Sequence, residues 1–180
     1  MASLRVTAGT LRGRRIAVPP RDVRPTSERA RQAYFNIVGA RIEGARFLDL
    51  FAGSGIFSFE AVSRGAASST AMEENKKHAG AIEALAKQWK AEVTVIARDV
   101  FKALPRLEGQ FDLVYADPPY EFGRYDELME AIGPVVGPDT LVAVECRTGF
   151  SPSEWAKARP TLVPVRTVEY GEVSITFLTR

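Results

Sequence analysis

The sequence predicts an α/β fold built on a largely parallel sheet. From Phe47 onward, short apolar runs that suit buried strands alternate with segments of helical periodicity, which is typical of a parallel sheet covered by helices on both faces. The end of the chain differs, because residues 162–169 and 173–178 flank a turn at Tyr170-Gly171 and predict an antiparallel hairpin at the sheet edge. With 180 residues, 46% of them hydrophobic, the chain suffices for one domain with a substantial core.

The N-terminal segment predicts a small β-hairpin followed by a helix. Two short β-prone runs within residues 4–18 flank the glycine-containing stretch 9–13, as expected for a hairpin turn. The helix is predicted to start with Thr26 as N-cap and Glu28 in its first turn, where a carboxylate suits the helix dipole. Gly39 is placed to end it.

The main domain is expected over residues 25–180, with the hairpin as an appended basic unit over residues 1–24. One further helix carries Ile82 and Trp89 on a single apolar face. Residues 133–138 contain two glycines and two prolines and predict a connecting loop. The predicted strands of the sheet lie near residues 46–49, 69–73, 93–97, 111–116 and 140–145.

Bulk properties exclude several classes of protein. No apolar stretch approaches the length of a membrane span, and no hydrophobic signal region follows the first arginines, so we expect a cytoplasmic protein. The single cysteine, Cys146, excludes an internal disulfide framework and a cysteine-based metal site, and its apolar neighbours predict a buried position. The single histidine, His78, is expected on the surface, and no metal is expected in the protein.

Positive charge is concentrated at the N-terminus. Residues 1–31 hold eight arginines and two acidic residues, although the whole chain carries a formal net charge of only +2. Arginine can bind two phosphate oxygens with its planar fork, so this asymmetry predicts an appendage that binds a polyanion. A solvated basic surface without a partner is the alternative. The arginines are Arg5, Arg12, Arg14, Arg15, Arg21, Arg24, Arg29 and Arg31.

The most informative stretch is Asp117-Pro118-Pro119-Tyr120, which directly follows a predicted buried strand. Ligands of open α/β sheets bind beyond the carboxyl ends of the strands. A carboxylate and a backbone carbonyl can accept both hydrogens of an exocyclic amino group, and Tyr120 offers a flat surface for stacking. The stretch therefore suits a planar, amine-bearing heterocycle, although a solvated turn is the simpler alternative.

A second motif is the glycine-containing turn Asp49-Leu50-Phe51-Ala52-Gly53-Ser54-Gly55, which leads from a predicted strand into a helix. Such a turn can hold a dinucleotide or another nucleoside-bearing cofactor. A dinucleotide is disfavoured, because Ser58 replaces the third glycine of that fingerprint and Asp49 would repel a pyrophosphate. A carboxylate at this point suits a cationic group instead.

Acidic residues close four successive predicted strands: Asp49, Glu73, Asp99 and Asp117. Because the carboxyl ends of parallel strands meet at one edge, these side chains are expected to lie together. Glu73 follows Asp49 at a spacing suited to ribose hydroxyls, and Asp99 could accept from an adenine amino group. Each acid alone could simply cap a helix.

These motifs resemble those of Rossmann-like S-adenosylmethionine-dependent methyltransferases that modify exocyclic amines. More narrowly, Gly9-x-x-Arg12-Gly13-Arg14 and Arg24-Pro25-Thr26-x-x-x-x-Arg31, followed by Phe35-Asn36, resemble the bacterial RsmD family. Members of that family methylate N2 of a guanine in small-subunit ribosomal RNA. The resemblance covers nearly the whole chain, and the N-terminal arginine motifs are its most specific part.

The resemblance implies a seven-stranded, mostly parallel sheet with its last strand antiparallel, plus the N-terminal hairpin. It also implies S-adenosylmethionine as cofactor and, as partner, 16S rRNA within the 30S subunit or an assembly intermediate, bound by a monomer. The implied catalytic residues are Asp117, Pro118, Pro119 and Tyr120. The implied cofactor-binding residues are Asp49, Phe51, Ala52, Gly53, Ser54, Gly55, Glu73, Glu74, Asp99, Val100 and Asp117. The implied RNA-binding residues are Arg12, Arg14, Arg24, Thr26, Arg29 and Arg31.

Other functions remain open at this stage. The Asp117 motif also suits a methyltransferase that acts on DNA amines or protein glutamine amides. A non-catalytic, RNA-binding assembly factor could keep the cofactor fold as a relic, although the intact Asp117 speaks against it. An NAD-linked oxidoreductase is disfavoured by Ser58 and Asp49.

Overall fold

The structure, a computed structural model, describes residues 3–18, 27–119, 121–149 and 162–180. Within these ranges, three short 3₁₀ helices accompany the longer elements: Gly39–Ile42, Leu104–Arg106 and Gly133–Val135. In chain order those elements are β1 (Ser3–Arg5), β2 (Arg15–Ala17), α1 (Glu28–Val38), β3 (Arg46–Leu50), α2 (Ile56–Ser63), β4 (Ser68–Met72), α3 (Lys76–Trp89), β5 (Val93–Ile96), α4 (Val100–Ala103), β6 (Phe111–Ala116), α5 (Tyr125–Ile132), β7 (Val136–Arg147), β8 (Val163–Tyr170) and β9 (Val173–Thr179).

Seven strands form one sheet in the order β5-β4-β3-β6-β7-β9-β8. The strands from β3 to β7 are parallel to their neighbours, whereas β9 is antiparallel to both β7 and β8. The predicted α/β class is therefore confirmed, including the antiparallel last strand and the C-terminal hairpin. β1 and β2 form a separate antiparallel pair, which confirms the N-terminal hairpin.

Alternate residues of each strand point to opposite sides of the sheet. Because both sides carry apolar side chains, helices cover both faces. On one face, Phe47 of β3 joins a core cluster with residues of α1, α2 and α3. On the other face, Leu48 joins a cluster with residues of α4 and α5. Tyr34 of α1 lies within an aromatic group on the first face, where its ring contacts those of Phe35, Phe47, Phe57, Tyr115 and Phe177.

A buried carboxylate joins the N-terminal hairpin to the main domain. Glu60 of α2 is 0% exposed, and its Oε1 accepts the Thr7 backbone N–H at 2.7 Å and the Thr7 hydroxyl at 2.6 Å. Arg31 of α1 donates from Nε to the same oxygen, and Arg64 donates from Nε to Oε2. Because both oxygens are bonded inside the protein, Glu60 avoids the cost of an unpaired buried charge.

Apolar contacts reinforce this attachment. Val6, Leu11 and Ile16 of the hairpin segment are buried in the same core cluster as Tyr34. Leu11 also donates its backbone N–H to the Ser63 hydroxyl at the end of α2. The hairpin therefore shares the main core instead of standing apart from it.

Three local predictions are corrected by the structure. The N-cap of α1 is Ser27, whose hydroxyl accepts the Ala30 N–H at 3.1 Å; Thr26, the predicted cap, lies outside the described residues. β7 begins at Val136, not near residue 140, because Val136 pairs with Phe111 beside an irregularity of register. Residues 136–138 of the predicted 133–138 loop therefore belong to β7. Pro138 is tolerated there because it lies near the start of the strand.

His78 is also placed differently from the prediction. It is 8% exposed, because it precedes the buried Ile82 and Ala86 by four and eight residues on one face of α3. The predicted burial of Cys146 is confirmed, and its sulfur lies 3.1 Å from the Ser174 hydroxyl. Within the described ranges, no helix combines the length and the apolar character needed to cross a bilayer.

Candidate functional site

The carboxyl ends of the central strands bring the predicted acidic residues to one edge of the sheet. Leu50 of β3 pairs with Met72 of β4 on one side and with Ala116 of β6 on the other, so the three strands end level with one another. Met72 pairs in turn with Ile96 of β5. Asp49, Glu73, Asp99 and Asp117 stand at or just beyond these paired strand ends, at what we call the cofactor edge.

Asp49 is the most deeply buried of these acids, with 2% of its surface exposed. Its Oδ2 accepts the Ser58 backbone N–H at 3.2 Å and the Ser58 hydroxyl at 2.7 Å. Burial raises the pKa of the Asp49 carboxyl to about 7, the Ser58 hydrogen bonds act against this rise, and the charge of Glu73 adds to it. A carboxyl with so strongly raised a pKa is typical of functional sites. A cation bound beside Asp49 would favour its ionised form.

The turn after β3 is held in a tightly constrained conformation. Gly55 adopts φ 77° at the N-cap of α2, and a Cβ at that position would lie 2.9 Å from Cγ1 of Ile82. Phe51 also has a positive φ, of 64°, which is rare for an aromatic residue and typical of strained functional turns. The close approach of α2 and α3 therefore requires glycine at residue 55.

Glu73 links the first and second loops of the cofactor edge. Its Oε2 accepts the Gly53 N–H at 2.7 Å, and its Oε1 accepts the Asn75 N–H at 2.8 Å. Each carboxylate oxygen can accept a second hydrogen bond, so Glu73 can hold the loops and still accept from ribose hydroxyls. The neighbouring Glu74 is exposed.

Asp99 acts as the N-cap of α4, and its Oδ1 accepts the Lys102 backbone N–H at 3.1 Å. This is the capping role that the sequence allowed, and it occupies one of the two carboxylate oxygens. Val100, next in the chain, is buried. Asp99 can therefore cap the helix and offer its other oxygen to a donor.

An aromatic group beside these loops was missed by the sequence reasoning. Phe122 contacts Phe51 edge-on at 5.4 Å between ring centroids and stacks on Phe101 at 6.2 Å. The Arg124 guanidinium lies 3.8 Å from the centroid of Phe101. These flat surfaces come from three different loops. In the sequence, this aromatic group is indicated only by the phenylalanine that follows shortly after each of Asp49, Asp99 and Asp117.

The Asp117 segment leaves the sheet between β3 and the aromatic group. The Asp117 backbone N–H points to the Leu50 carbonyl at 3.5 Å, and the Pro119 carbonyl accepts the Phe122 N–H at 2.9 Å. Asp117 is half-buried, Pro118 is buried and Pro119 is exposed. Tyr120 lies outside the described residues. The segment thus begins beside Leu50, the residue that follows Asp49 in β3.

The predicted RNA-binding arginines within the described residues differ in exposure. Arg12, Arg14 and Arg29 are exposed, whereas Arg24 and Thr26 lie outside the described residues. Arg31 is 0% exposed, bonded to Glu60 through Nε and to the Arg5 carbonyl through Nη2 at 2.9 Å. The expectation that Arg31 is available to RNA is therefore wrong, because this arginine belongs to the buried network that holds the hairpin.

Residues suited to bind a metal ion do not gather anywhere in the described ranges, where no group of three or more His, Cys, Asp or Glu side chains could hold one. The chemistry of the cofactor edge is that of carboxylates, backbone carbonyls and aromatic rings. This set can hold a cationic, nucleoside-bearing ligand beside a planar amine.

Comparisons with known proteins agree with this geometry. The family model described as "Conserved hypothetical protein 95" matches residues 4–179. Ribosomal RNA small subunit methyltransferase D of Haemophilus influenzae is 31% identical over 163 residues, covering 84% of this chain and 84% of the relative. The protein of the same name from Escherichia coli is 32% identical over 131 residues, covering 72% of this chain and 66% of the relative.

A solved structure shows the same fold. The yhhF protein of Escherichia coli, described as a candidate methyltransferase, superimposes with a TM-score of 0.85 at 27% identity. The match covers 99% of this chain and 98% of that one, so the N-terminal hairpin and the seven-stranded sheet are aligned together.

Proposed function

Because the chain belongs to the family of ribosomal RNA small subunit methyltransferase D, we propose that it transfers a methyl group from S-adenosylmethionine to N2 of a guanine in 16S rRNA. The observation that carries this proposal is the arrangement of the cofactor edge. There the buried Asp49 lies on the strand next to the one that leads into Asp117-Pro118-Pro119. One acid suits a cationic methyl donor, and the other suits the amine that accepts the methyl group.

In this proposal, three loops contact different parts of the methyl donor. Asp49 and the turn at residues 51–55 bind the methionine part, Glu73 binds the ribose, and Asp99 accepts from the adenine end. Phe101 and Phe122 provide flat surfaces beside Asp99, which suit an adenine ring. When bound, S-adenosylmethionine supplies a methyl group activated by the positive charge of its sulfonium.

The residues after β6 orient the acceptor amine. Guanine N2 is a weak nucleophile because its lone pair is delocalised into the ring, so the protein must hold the amine with that lone pair directed at the methyl group. The Asp117 carboxylate and the Pro118 carbonyl accept the two amino hydrogens, which is mainly a positioning effect. As positive charge builds on the nitrogen, the Asp117 carboxylate stabilises it. The proton that N2 then loses passes to this carboxylate or to solvent.

The target base must leave its stacked position to reach this edge. Tyr120 is the residue proposed to stack on the displaced base, as an aromatic neighbour of Asp117. Arg12, Arg14, Arg24 and Arg29 are proposed to bind RNA phosphates, together with Thr26. The proposed partner is 16S rRNA within the 30S subunit or an assembly intermediate, methylated in the cytoplasm by a monomer.

A methylation assay with radiolabelled S-adenosylmethionine tests the proposal directly. We expect transfer to 30S particles or naked 16S rRNA, with the product mapped to N2 of a guanine by mass spectrometry. Transfer to DNA alone would overturn the choice of RNA, and a product at another atom would overturn the choice of guanine N2.

The Asp117→Ala variant tests the role of the carboxylate. We expect its kcat to fall by roughly a hundredfold or more, because it loses both orientation and charge stabilisation. Asp139→Ala is the matched control, because Asp139 is exposed and it is its backbone carbonyl, which the substitution keeps, that accepts from Arg41. Equal activity of Asp117→Ala and the wild-type protein would refute the mechanism.

A further inference from the structure

The turn of the N-terminal hairpin lies at the end of the molecule opposite the cofactor edge. The Thr10 N–H donates to the Ser63 carbonyl at 2.8 Å, and the Leu11 N–H donates to the Ser63 hydroxyl at 2.9 Å. Ser63 is the last residue of α2, a helix that starts at the cofactor edge beside Gly55. The exposed Arg12, which follows in this turn, is therefore separated from the proposed site by the length of α2.

The end of α3 lies at the same place. The Arg14 guanidinium is 5.3 Å from the ring centroid of Trp89, the last residue of α3. α3 also starts at the cofactor edge, directly after Glu73, and its 14 residues span ~21 Å. Lys87 and Lys90 beside Trp89 are both exposed. Arg12, Arg14, Lys87 and Lys90 thus define what we call the distal basic surface.

Lys90 occupies a backbone conformation that disfavours a side chain. It is the C-cap of α3, with φ 52° and ψ 43° in the left-handed region, where glycine is the usual residue. A lysine in this strained conformation suggests that its side chain has a function. Lysine at a helix C-terminus also interacts favourably with the helix dipole, so stability and RNA binding have to be measured separately.

A second group of positive charge lies at the start of α3, near the cofactor edge. Lys76 and Lys77 are exposed in the first turn, and Glu83 is the one acid between Lys76 and Lys90. Two lysines lie at each end of α3 and Glu83 lies between the two pairs, so the positive charge of the helix and its cap is concentrated at the two ends. Two such groups of charge suit phosphates at two separate points of a nucleic acid backbone.

We propose that the distal basic surface is a second RNA-binding site, which contacts phosphates about 20 Å from the methylated base. This inference rests on the proposed function and extends it, because it assigns Lys87 and Lys90 to RNA recognition. It also defines the substrate class: an RNA long enough to run along α3 binds tightly, whereas an isolated loop that reaches only the cofactor edge does not.

Two substitutions test the proposal without removing packed side chains. Lys87→Gln removes one charge, and Lys90→Gly removes another while relieving the left-handed backbone. In the double variant we expect the affinity for 16S rRNA to fall roughly tenfold at moderate salt, and the slope of log affinity against log salt to decrease by about 1.4. Fluorescence anisotropy with labelled RNA measures both quantities, independently of methylation.

The matched control is Arg106→Gln. Arg106 is exposed and follows α4 on the other face of the sheet, where its neighbour Leu104 belongs to the second core cluster. Its loss should leave RNA affinity and salt slope unchanged. Melting temperatures, and S-adenosylmethionine affinity measured by calorimetry, should be close to wild type for all variants, which excludes a general loss of structure.

RNA length gives a second readout. The double variant should bind a short stem-loop that carries only the target nucleotide and its neighbours as weakly as the wild-type protein does. Wild-type affinity of the double variant for 16S rRNA would overturn the second site, even if methylation proceeds. RNA binding that depends on Lys87 and Lys90 without any methyl transfer would support the second site and refute the proposed reaction.

Discussion

At the scale of single residues, Asp49 lowers the stability of the free protein. The unfolded carboxyl has the ordinary pKa of 3.8, whereas burial raises the pKa in the folded protein to about 7. Between these values the folded state binds more protons than the unfolded state, so stability falls as pH rises. The penalty is absent below the lower pKa and complete above the higher one, where it amounts to about 4 kcal/mol.

The Asp49→Asn variant should therefore be more stable than the wild-type protein at pH 8. Asparagine cannot ionise, and its carbonyl oxygen can still accept from Ser58. We expect the difference in the free energy of unfolding to be a few kcal/mol at pH 8 and to shrink steadily toward pH 4. Urea denaturation at several pH values measures it. A difference that does not change with pH would show that Asp49 ionises normally in the folded protein.

The same residue should make cofactor binding depend on pH. A cationic ligand binds the ionised form of Asp49, so we expect affinity for S-adenosylmethionine to rise by about tenfold between pH 6 and pH 8. Asp49→Asn should bind weakly at every pH. Calorimetry in buffers of different ionisation enthalpy would also detect the proton released on binding, and its absence near pH 6 would contradict this role of Asp49.

At the scale of elements, the attachment of the hairpin depends on a close approach at Gly9. A Cβ at this residue would lie 1.6 Å from the Ser63 carbonyl oxygen, so no small shift can accommodate alanine. The Gly9→Ala variant should lose the Thr10–Ser63 hydrogen bond, and we expect it to be destabilised by several kcal/mol. Hydrogen exchange at the Thr10 amide would show the loss directly.

Gly13 provides the matched control for this prediction. Its φ of 86° resembles the 78° of Gly9, but a Cβ at Gly13 would meet nothing within 4 Å. Gly13→Ala should cost only the left-handed conformation, about 1–2 kcal/mol. Equal destabilisation of the two variants would show that contact with Ser63 contributes nothing to the attachment.

At the scale of the whole molecule, the hairpin and the main domain should unfold as one unit. Val6, Leu11 and Ile16 belong to the main core, and Thr7 bonds to the buried Glu60. Removal of residues 1–18 would expose that core and leave Glu60 without two of its hydrogen bonds. We expect the truncated protein to lose at least 3 kcal/mol of stability, measured by denaturant unfolding. A truncated protein as stable as the full chain would show that the hairpin is an independent unit.

The sequence predicts those parts of the fold that depend on neighbouring residues. The alternation of strands and helices and the acids at strand ends follow from local patterns, so β3 to β6 and the edge that carries Asp49 and Asp117 could be predicted. The burial of Arg31 could not, because its partner Glu60 lies 29 residues away. The contact of Phe122 with Phe101 likewise depends on two loops that meet only in the folded sheet.

The hydrogen bonds of Glu73 bear on how the site changes when it is occupied. Because this carboxylate holds the backbone at Gly53 and Asn75, contacts within the protein fix the relative position of the first two loops. Binding then requires little ordering of these loops, which lowers its entropic cost. A site of such constant shape accepts the outline of the demethylated cofactor as readily as that of the intact donor, so discrimination between the two depends on the sulfonium charge that only the donor carries.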